Sequence, residues 1–298
     1  MSQNSKIEWT HHTFNPWWGC TKVSPECDSC YAETGAVRYG WSETGSHFPI
    51  WGKDARRRFF GDKHWQEPLK WNREAQAKGE NARVFCASYG DVLEDREDLI
   101  PHRLRLQGLI LDTMSLDWLL LSKRPQNFCR MFATWNRFPP NVWAMATVGC
   151  KSSMWRIDAL REVDTVVRGL SVEPLLEDLG ALSLRGIHWV IVGGESGHGA
   201  RPMNIEWVRS IIRQCRDAGV ACFVKQMGAK PYETNIGVAI KNDAVVSIAA
   251  KAHPHLQGFT RITDSDGTYL RKNWRLKDKK GGNILEWPED LRVREVPR

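Results

Sequence analysis

The sequence lacks the features of a membrane or secreted protein. It contains no apolar run approaching the roughly 18 residues that a membrane-spanning helix requires, and residues 1–9 have no apolar core of the signal-peptide kind. Internal repeats and long low-complexity tracts are also missing. With 42% hydrophobic residues in a chain of 298, we expect a globular, cytoplasmic protein without a membrane partner.

The chain has eight cysteines, but their distribution is not that of a secreted disulfide framework. Cys20, Cys27 and Cys30 are crowded into one short segment with the spacing C-x6-C-x2-C, and the other five are scattered. In a reducing compartment, crowded cysteines indicate a metal or cluster site. Thiolates are the soft ligands that iron–sulfur clusters and zinc prefer.

Two kinds of site fit this spacing. A structural zinc usually takes four protein ligands, and His11 or His12 would have to add a nitrogen to the three sulfurs. Three cysteines alone suit a [4Fe–4S] cluster that keeps one iron open to a substrate. Gly19 is expected to let the backbone pass close to such a bulky ligand. The spacing favours the cluster, with zinc as the alternative.

Short apolar runs separated by helical patterns predict an α/β fold. The clearest helix covers residues 204–218, with Asn204 as N-cap and Gly219 as its stop. Alternating strands and helices predict parallel strands joined by right-handed crossovers. We therefore expect a full or partial β/α barrel of about six to eight parallel strands. The predicted strands cover residues 8–15, 83–88, 117–122, 141–148, 165–172, 188–192 and 220–225, and the other helices 97–114, 125–135 and 152–163.

Composition changes after residue 228 and predicts two regions. The barrel is expected in residues 1–228, and a C-terminal appendage in residues 229–298. Within the barrel region we distinguish a cluster loop and a basic, aromatic insertion, and within the appendage a hairpin and a flexible basic loop. These four segments cover residues 14–32, 41–82, 258–274 and 277–282, respectively.

Polar residues follow nearly every predicted strand. In a β/α barrel, the loops after the strands build the active site. We therefore expect one shared site made of Ser88, Asp91, Lys123, Arg124, Thr147, Ser171, Glu173, Gly193, Gly194, Glu195, Lys225 and Gln226.

Residues 51–73 interleave cations with aromatic rings, among them Arg56, Arg57, Arg58 and Trp65. Such a mixture suits a nucleic-acid strand, because cations meet phosphates and rings stack on bases. The net charge of +7 permits this partner. The segment thus predicts a DNA or RNA substrate, and the alternative is an amphipathic cap over the barrel.

Clustered cysteines in the first loop of a β/α barrel resemble the radical S-adenosylmethionine (SAM) superfamily, although the first gap is longer here. A closer resemblance is to a phage-associated family often described as spore-photoproduct-lyase-like. The matching motifs run in one order from about residue 7 to residue 228 and read N-P-W-x-G-C, C-x-x-C-Y-A, K-R-P, S-V-E-P-L, G-G-E-S-G and K-Q-x-G.

The resemblance implies an enzyme, a lyase or a transferase, that uses a [4Fe–4S] cluster to cleave SAM to a 5′-deoxyadenosyl radical. Cys20, Cys27 and Cys30 would be the cluster ligands. A one-electron donor such as flavodoxin or ferredoxin would be a partner. The expected cofactor-binding residues are Ser88 and Asp91 for the SAM amino group, Ser171 and Glu173 for the ribose, and Gly193, Gly194 and Glu195 for the pocket wall.

The expected reaction is nucleic-acid or nucleotide base repair or modification. Cys86 is a candidate hydrogen-atom donor, and Lys123 and Lys225 are further catalytic candidates. The alternative function is a non-catalytic nucleic-acid-binding protein that zinc or a cluster stabilises. The substrate-binding candidates are Arg124, Arg201, Gln226, Arg56, Arg57, Arg58 and Trp65.

Overall fold

The computed structural model describes residues 2–135, 137–235, 258–264 and 267–297. Its strands are β1 (Ser2–Gln3), β2 (His12–Phe14), β3 (Trp17–Trp18), β4 (Arg58–Phe59), β5 (Ala82–Cys86), β6 (Leu116–Ser122), β7 (Val142–Thr147), β8 (Val167–Val172), β9 (Trp189–Gly193), β10 (Met203–Asn204), β11 (Ala221–Gln226), β12 (Pro231–Asn235), β13 (Thr260–Asp264) and β14 (Gly267–Asn273). Its α-helices are α1 (Tyr31–Arg38), α2 (Asp62–Trp65), α3 (Glu67–Lys78), α4 (Ile100–Leu111), α5 (Phe128–Met131), α6 (Trp155–Arg161) and α7 (Ile205–Ala218).

An eight-stranded sheet forms the centre of the molecule, with the order β1-β2-β5-β6-β7-β8-β9-β11. Seven of these strands are parallel and form a curled half-barrel, while β1 pairs antiparallel at one edge. The predicted α/β class is confirmed in its partial-barrel form. The predicted parallel strands overlap the observed ones, and most of their ends agree to within two residues.

Side chains of the half-barrel alternate between two apolar clusters. Val84 and Cys86 belong to the larger cluster, which packs the convex side of the sheet against the helices. Phe85, between them in sequence, belongs to the smaller cluster on the concave side. Burial on both faces explains why these strands read as continuous apolar runs.

Aromatic rings fill the concave side near the amino ends of the strands. The ring centroids of Trp9 and Trp143 lie 6.2 and 5.9 Å from that of Trp189. The C-terminal residues return to this layer, since Trp189 Nε1 donates to the carbonyl oxygen of Glu295 at 2.9 Å. The aromatic layer closes that end, and the concave space widens at the carboxyl ends of the strands.

Helix α7 forms as predicted: the Asn204 side chain accepts from the Glu206 backbone N–H at 3.1 Å, and Gly219 follows with φ of +66°. Helix α5 is shorter than predicted. The residues after it form an aromatic cluster instead, with ring centroids of Phe132 and Trp135 4.9 Å apart. None of the helices in the described residues is long and apolar enough to cross a membrane.

The C-terminal region is joined to the half-barrel more tightly than predicted. Strands β13 and β14 form the predicted hairpin, although its turn residues 265–266 lie outside the described residues. The basic loop 277–282 is anchored, because the Asp278 carboxylate accepts from the Gly282 N–H at 2.6 Å and Met227 N donates to Gly281 O at 2.8 Å. Trp287 and Leu291 belong to the main core.

Candidate active site

A cavity of about 620 Å³ opens at the carboxyl ends of the parallel strands. Its volume falls within the roughly 300–1,000 Å³ of small-molecule and cofactor sites. Cys20, Cys27 and Cys30 all line it. Almost every strand-end residue expected at a shared site also lines it, namely Ser88, Asp91, Lys123, Arg124, Thr147, Ser171, Glu173, Gly194, Glu195, Lys225 and Gln226.

The first cysteine lies where two backbone segments run side by side. Gly52 N donates to Cys20 O at 2.9 Å. Gly19 has a φ of +109°, and a Cβ there would come within 2.2 Å of the carbonyl oxygen of Ile50. Glycine is therefore required for contact between protein segments, and the room that Gly19 would give an inorganic ligand stays a prediction.

Arg57 anchors the loop that carries Cys20. Its guanidinium donates to Thr21 Oγ1 at 3.0 Å and to Ile50 O at 3.1 Å. The same group meets both carboxylate oxygens of Glu94, at 2.7 and 3.0 Å. The Arg57 side chain is 0% exposed. It cannot reach a phosphate, and its predicted nucleic-acid contact is wrong.

Arg124 contacts the first cysteine directly. Its Nη1 lies 3.7 Å from Cys20 Sγ and 2.8 Å from Asp91 Oδ2, and its Nη2 donates to Thr21 O at 2.7 Å. Burial raises the pKa of the Cys20 thiol to about 12; the Asp91 charge acts in the same direction and Arg124 opposes it. Metal binding at Cys20 must therefore displace a proton.

The second and third cysteines are placed by short helices. Cys27 ends the 3-10 helix Pro25–Cys27, and Cys30 is the N-cap residue of α1. Tyr31 Oη donates to the Ser88 carbonyl oxygen at 2.9 Å and so joins α1 to the end of β5.

Glu26 fastens the same loop to β7. Its Oε1 accepts from Gly149 N at 3.0 Å and lies 3.3 Å from Nη1 of Arg156. Burial opposes ionisation of this carboxyl, but hydrogen bonds from Ser153, Ser24 and the Gly149 N–H lower its pKa to about 2. Glu26 therefore remains an anion next to the cysteines and holds their loop in place.

Two carboxylates of the expected cofactor site pair with protein donors. Asp91 accepts from Ser122 Oγ at 2.6 Å and from Leu93 N at 2.9 Å, in addition to its pair with Arg124. Glu195 pairs with Arg201, whose Nε donates to Oε2 at 3.0 Å. The predicted role of Asp91 is corrected, because its oxygens are taken up by protein donors and it orients Arg124. Glu195 lines the cavity wall as expected and also orients Arg201.

Arg201 is turned towards the cysteine loop. Its Nη1 donates to Pro25 O at 3.0 Å and lies 3.6 Å from an oxygen of Asp28. It does not line the cavity, and neither does Gly193. Arg201 therefore connects the G-G-E segment after β9 to the cysteine loop, and its predicted substrate contact is replaced by this bridge.

Other side chains remain available to the cavity. Glu173 and Lys225 form an ion pair across its wall, and both are half-buried. Three lysines that line the cavity have no carboxylate partner among the described residues, namely Lys6, Lys123 and Lys280. Sequence reasoning missed Lys280, because only the contact of its loop with the chain after β11 brings it to the site.

Several predicted site residues lie elsewhere. Cys86 is fully buried on the convex side of the sheet, so it faces away from the cavity and cannot donate a hydrogen atom there. Trp65 is 2% exposed and packs against Phe14, so it cannot stack on a base. The guanidinium of Arg58 lies over the Trp18 ring, 4.4 Å from its centroid, so it contacts a protein ring. Arg56 remains exposed.

The histidines that a zinc site would need lie apart from the cavity. Nδ1 of His11 accepts from Arg83 N at 2.8 Å, and His12 stacks on Trp71 with ring centroids 4.5 Å apart. Neither lines the cavity. Within the described residues, no group of three or more His, Cys, Asp or Glu side chains lies close enough to hold a single metal ion.

Residues 4–286 match the model of a family described as a protein of unknown function, DUF5131. The chain belongs to the DUF5131 family. The DUF5131 match covers both the half-barrel and the loop 277–282, which meet at the cavity. No curated protein and no solved structure matches the chain.

Proposed function

We propose that this protein is a radical-SAM-type enzyme, a lyase or a transferase, acting in the reducing cytoplasm. The observation that carries the proposal is that Cys20, Cys27 and Cys30 all line one cavity at the carboxyl end of a half-barrel. A [4Fe–4S] cluster held by these thiolates would supply one electron to cleave SAM to a 5′-deoxyadenosyl radical.

The cavity suits a zwitterionic, ribose-bearing cofactor. Lys123 and Lys280 provide positive charge for a carboxylate or a phosphate. Ser171 and Glu173 are the ribose candidates, because Glu173 uses only Oε1 in its pair with Lys225 among the described residues. The two lysines and Glu173 would orient the ligand.

The inner wall of the cavity would protect a reactive species. Phe85, Leu121 and Trp9 line it from the concave side. An apolar wall excludes water and suppresses side reactions of reactive intermediates. This arrangement supports radical chemistry.

The proposed substrate is DNA or RNA, for base repair or modification. Its support comes from exposed aromatic rings on residues 31–48: Tyr31, which lines the cavity, is 54% exposed, Tyr39 61% and Phe48 41%. Arg38 in this segment and Arg56 shortly after it are also exposed. Exposed rings stack on bases and cations bind phosphates. This surface replaces the predicted segment 51–73, part of which is buried.

A continuous series of rings connects this surface to the cavity. Tyr31 lines the cavity, and its ring centroid lies 6.3 Å from that of Tyr89. Tyr89 stacks on Trp18 at 4.7 Å, and Trp18 lies 6.1 Å from Tyr39. Packed rings thus join the exposed surface to the cavity wall, where Tyr31 would meet a flipped base. A flavodoxin or ferredoxin would be the electron donor.

Metal analysis of anaerobically purified protein tests the proposal. We expect iron and acid-labile sulfide in equal amounts and a brown colour that dithionite bleaches. The matched control is the triple variant in which Cys20, Cys27 and Cys30 are Ser, which should be colourless. A colourless wild-type protein with stoichiometric zinc would instead indicate the non-catalytic nucleic-acid-binding alternative.

A further inference from the structure

We propose that Arg124 is a positioning residue that tunes the reduction potential of the cluster through its hydrogen bond to Cys20. This inference rests on the proposed function, because it requires a cluster at the three cysteines. It differs from the sequence-based role of Arg124, which was substrate binding.

The guanidinium of Arg124 is fixed on three sides. Its Nη1 meets both Cys20 Sγ, at 3.7 Å, and Asp91 Oδ2, at 2.8 Å, and its Nη2 donates to Thr21 O at 2.7 Å. The side chain is buried. Arg124 therefore faces the cysteine loop and is committed to protein acceptors.

Asp91 gives the pair its direction. Its Oδ1 accepts from Ser122 Oγ at 2.6 Å and from Leu93 N at 2.9 Å. Because Ser122 and Leu93 hold Oδ1, the other oxygen, Oδ2, faces Arg124. The result is a buried ion pair whose guanidinium lies 3.7 Å from the sulfur of Cys20.

This orientation predicts the sign of the effect. Reduction adds an electron to the cluster, and a nearby positive charge or N–H donor stabilises the more negative form. Burial weakens solvent screening of that interaction. Arg124 should therefore raise the potential, and Asp91, of opposite charge, should lower it.

The experiment is an EPR-monitored redox titration of the anaerobically reconstituted full chain. Arg124→Gln should make reduction at least tenfold less favourable, which is 59 mV for one electron. Asp91→Asn should shift the potential in the opposite direction. Arg124→Lys, which keeps the charge, should stay near wild type. Arg130→Gln is the matched control, since Arg130 pairs with Asp95 on the exposed surface.

Opposite shifts in the two variants support the inference, because a merely structural role would not produce opposite signs. Unchanged potentials, or shifts in the same direction, overturn it. If Arg124→Gln does not retain iron, the other two variants decide. A raised potential in Asp91→Asn with a nearly unchanged potential in Arg124→Lys supports the inference, and an unchanged or lowered potential in Asp91→Asn overturns it. A wild-type chain without a cluster refutes the proposed function itself, whereas a SAM-cleaving wild type with an insensitive potential refutes only this inference.

Discussion

Arg57 and Glu94 form a buried two-point ion pair beneath the cysteine loop, with Nε–Oε2 and Nη2–Oε1 distances of 3.0 and 2.7 Å. The remaining donors of Arg57 hold backbone and hydroxyl oxygens of the loop. The neighbouring Arg56 is exposed and lies 5.7 Å from the Phe48 ring centroid. Two adjacent arginines in a basic run thus have unlike environments.

Removing Arg57 should destabilise the protein strongly. Arg57→Met leaves the Glu94 charge buried without a partner, which costs about 3–5 kcal/mol. Arg56→Met, the matched control, should change the free energy of unfolding by no more than about 0.5 kcal/mol. Urea denaturation of both variants measures this difference. Equal, small effects would mean that Arg57 does not anchor the loop.

The cysteine assignment predicts a selective loss of iron. Changing Cys20, Cys27 or Cys30 to Ala should remove most bound iron from reconstituted protein, because two thiolates hold a cluster poorly. Cys129 is exposed and Cys215 is buried in the convex core, and neither lines the cavity. Changing either control residue should leave the iron content unchanged. Equal loss in both groups would show that the ligand assignment is wrong.

Most of the fold could be predicted from the sequence, because strands that are buried on both faces contain continuous apolar runs. The run around Trp189–Gly193 is continuously apolar, and the observed strand follows it. Helix α7 was equally clear, since Asn204 and Gly219 mark its ends chemically. Helix α5 was overextended, because the packing of Phe132 with Trp135 depends on tertiary contacts that periodicity does not encode.

The candidate site was predictable as a location but less so in its contacts. Parallel strands have their carboxyl ends on the same side of the sheet, so Ser88 and Lys225 could both be assigned to one site from strand order alone. The sequence does not show that Asp91 and Glu195 are already paired with arginines. Nor does it show that Cys86 faces away from the cavity, because the alternation of a buried strand is hidden when both faces are apolar.

The exposed aromatic surface predicts two separable effects on nucleic-acid binding. Arg38→Gln and Arg56→Gln should each flatten the log–log salt dependence by about 0.7–0.9, one phosphate contact each. Tyr39→Ala should lower affinity with little change of slope, because stacking releases no counterions. Fluorescence anisotropy with a labelled single strand measures both. Wild-type protein without salt-dependent binding would remove nucleic acid as the substrate.

Trp65 is a buried control for the exposed aromatic surface. Because it is buried against Phe14, Trp65→Ala should lower the free energy of unfolding by about 3–5 kcal/mol. At a temperature where the variant is folded, its nucleic-acid affinity should equal that of wild type. If Trp65→Ala lost nucleic-acid affinity but kept wild-type stability, Trp65 would belong to the nucleic-acid-binding surface.

His64 should make stability depend on pH. Burial lowers its pKa to about 4, and Nε2 lies 2.8 Å from Asn15 O. The folded state favours the neutral ring, so this stabilisation is complete above the unfolded pKa of about 6.5 and declines as pH falls towards 4. His64→Gln should reduce the stability lost between pH 7 and pH 4 by about 3 kcal/mol.

Urea melts at the two pH values measure the His64 contribution. His198→Gln is the control, since His198 is an exposed histidine. It should follow the wild-type pH dependence. A His64→Gln variant that loses as much stability as wild type on acidification would show that His64 is not held neutral by burial.

Formation of 5′-deoxyadenosine tests the central claim most directly. Reduced, reconstituted protein incubated with SAM should release it slowly even without substrate, and a variant with Cys27→Ala should release none. Chromatography of the quenched reaction gives the amount formed per chain. Iron-loaded wild-type protein that forms no 5′-deoxyadenosine, with or without nucleic acid, would contradict the account and leave the cluster a structural role.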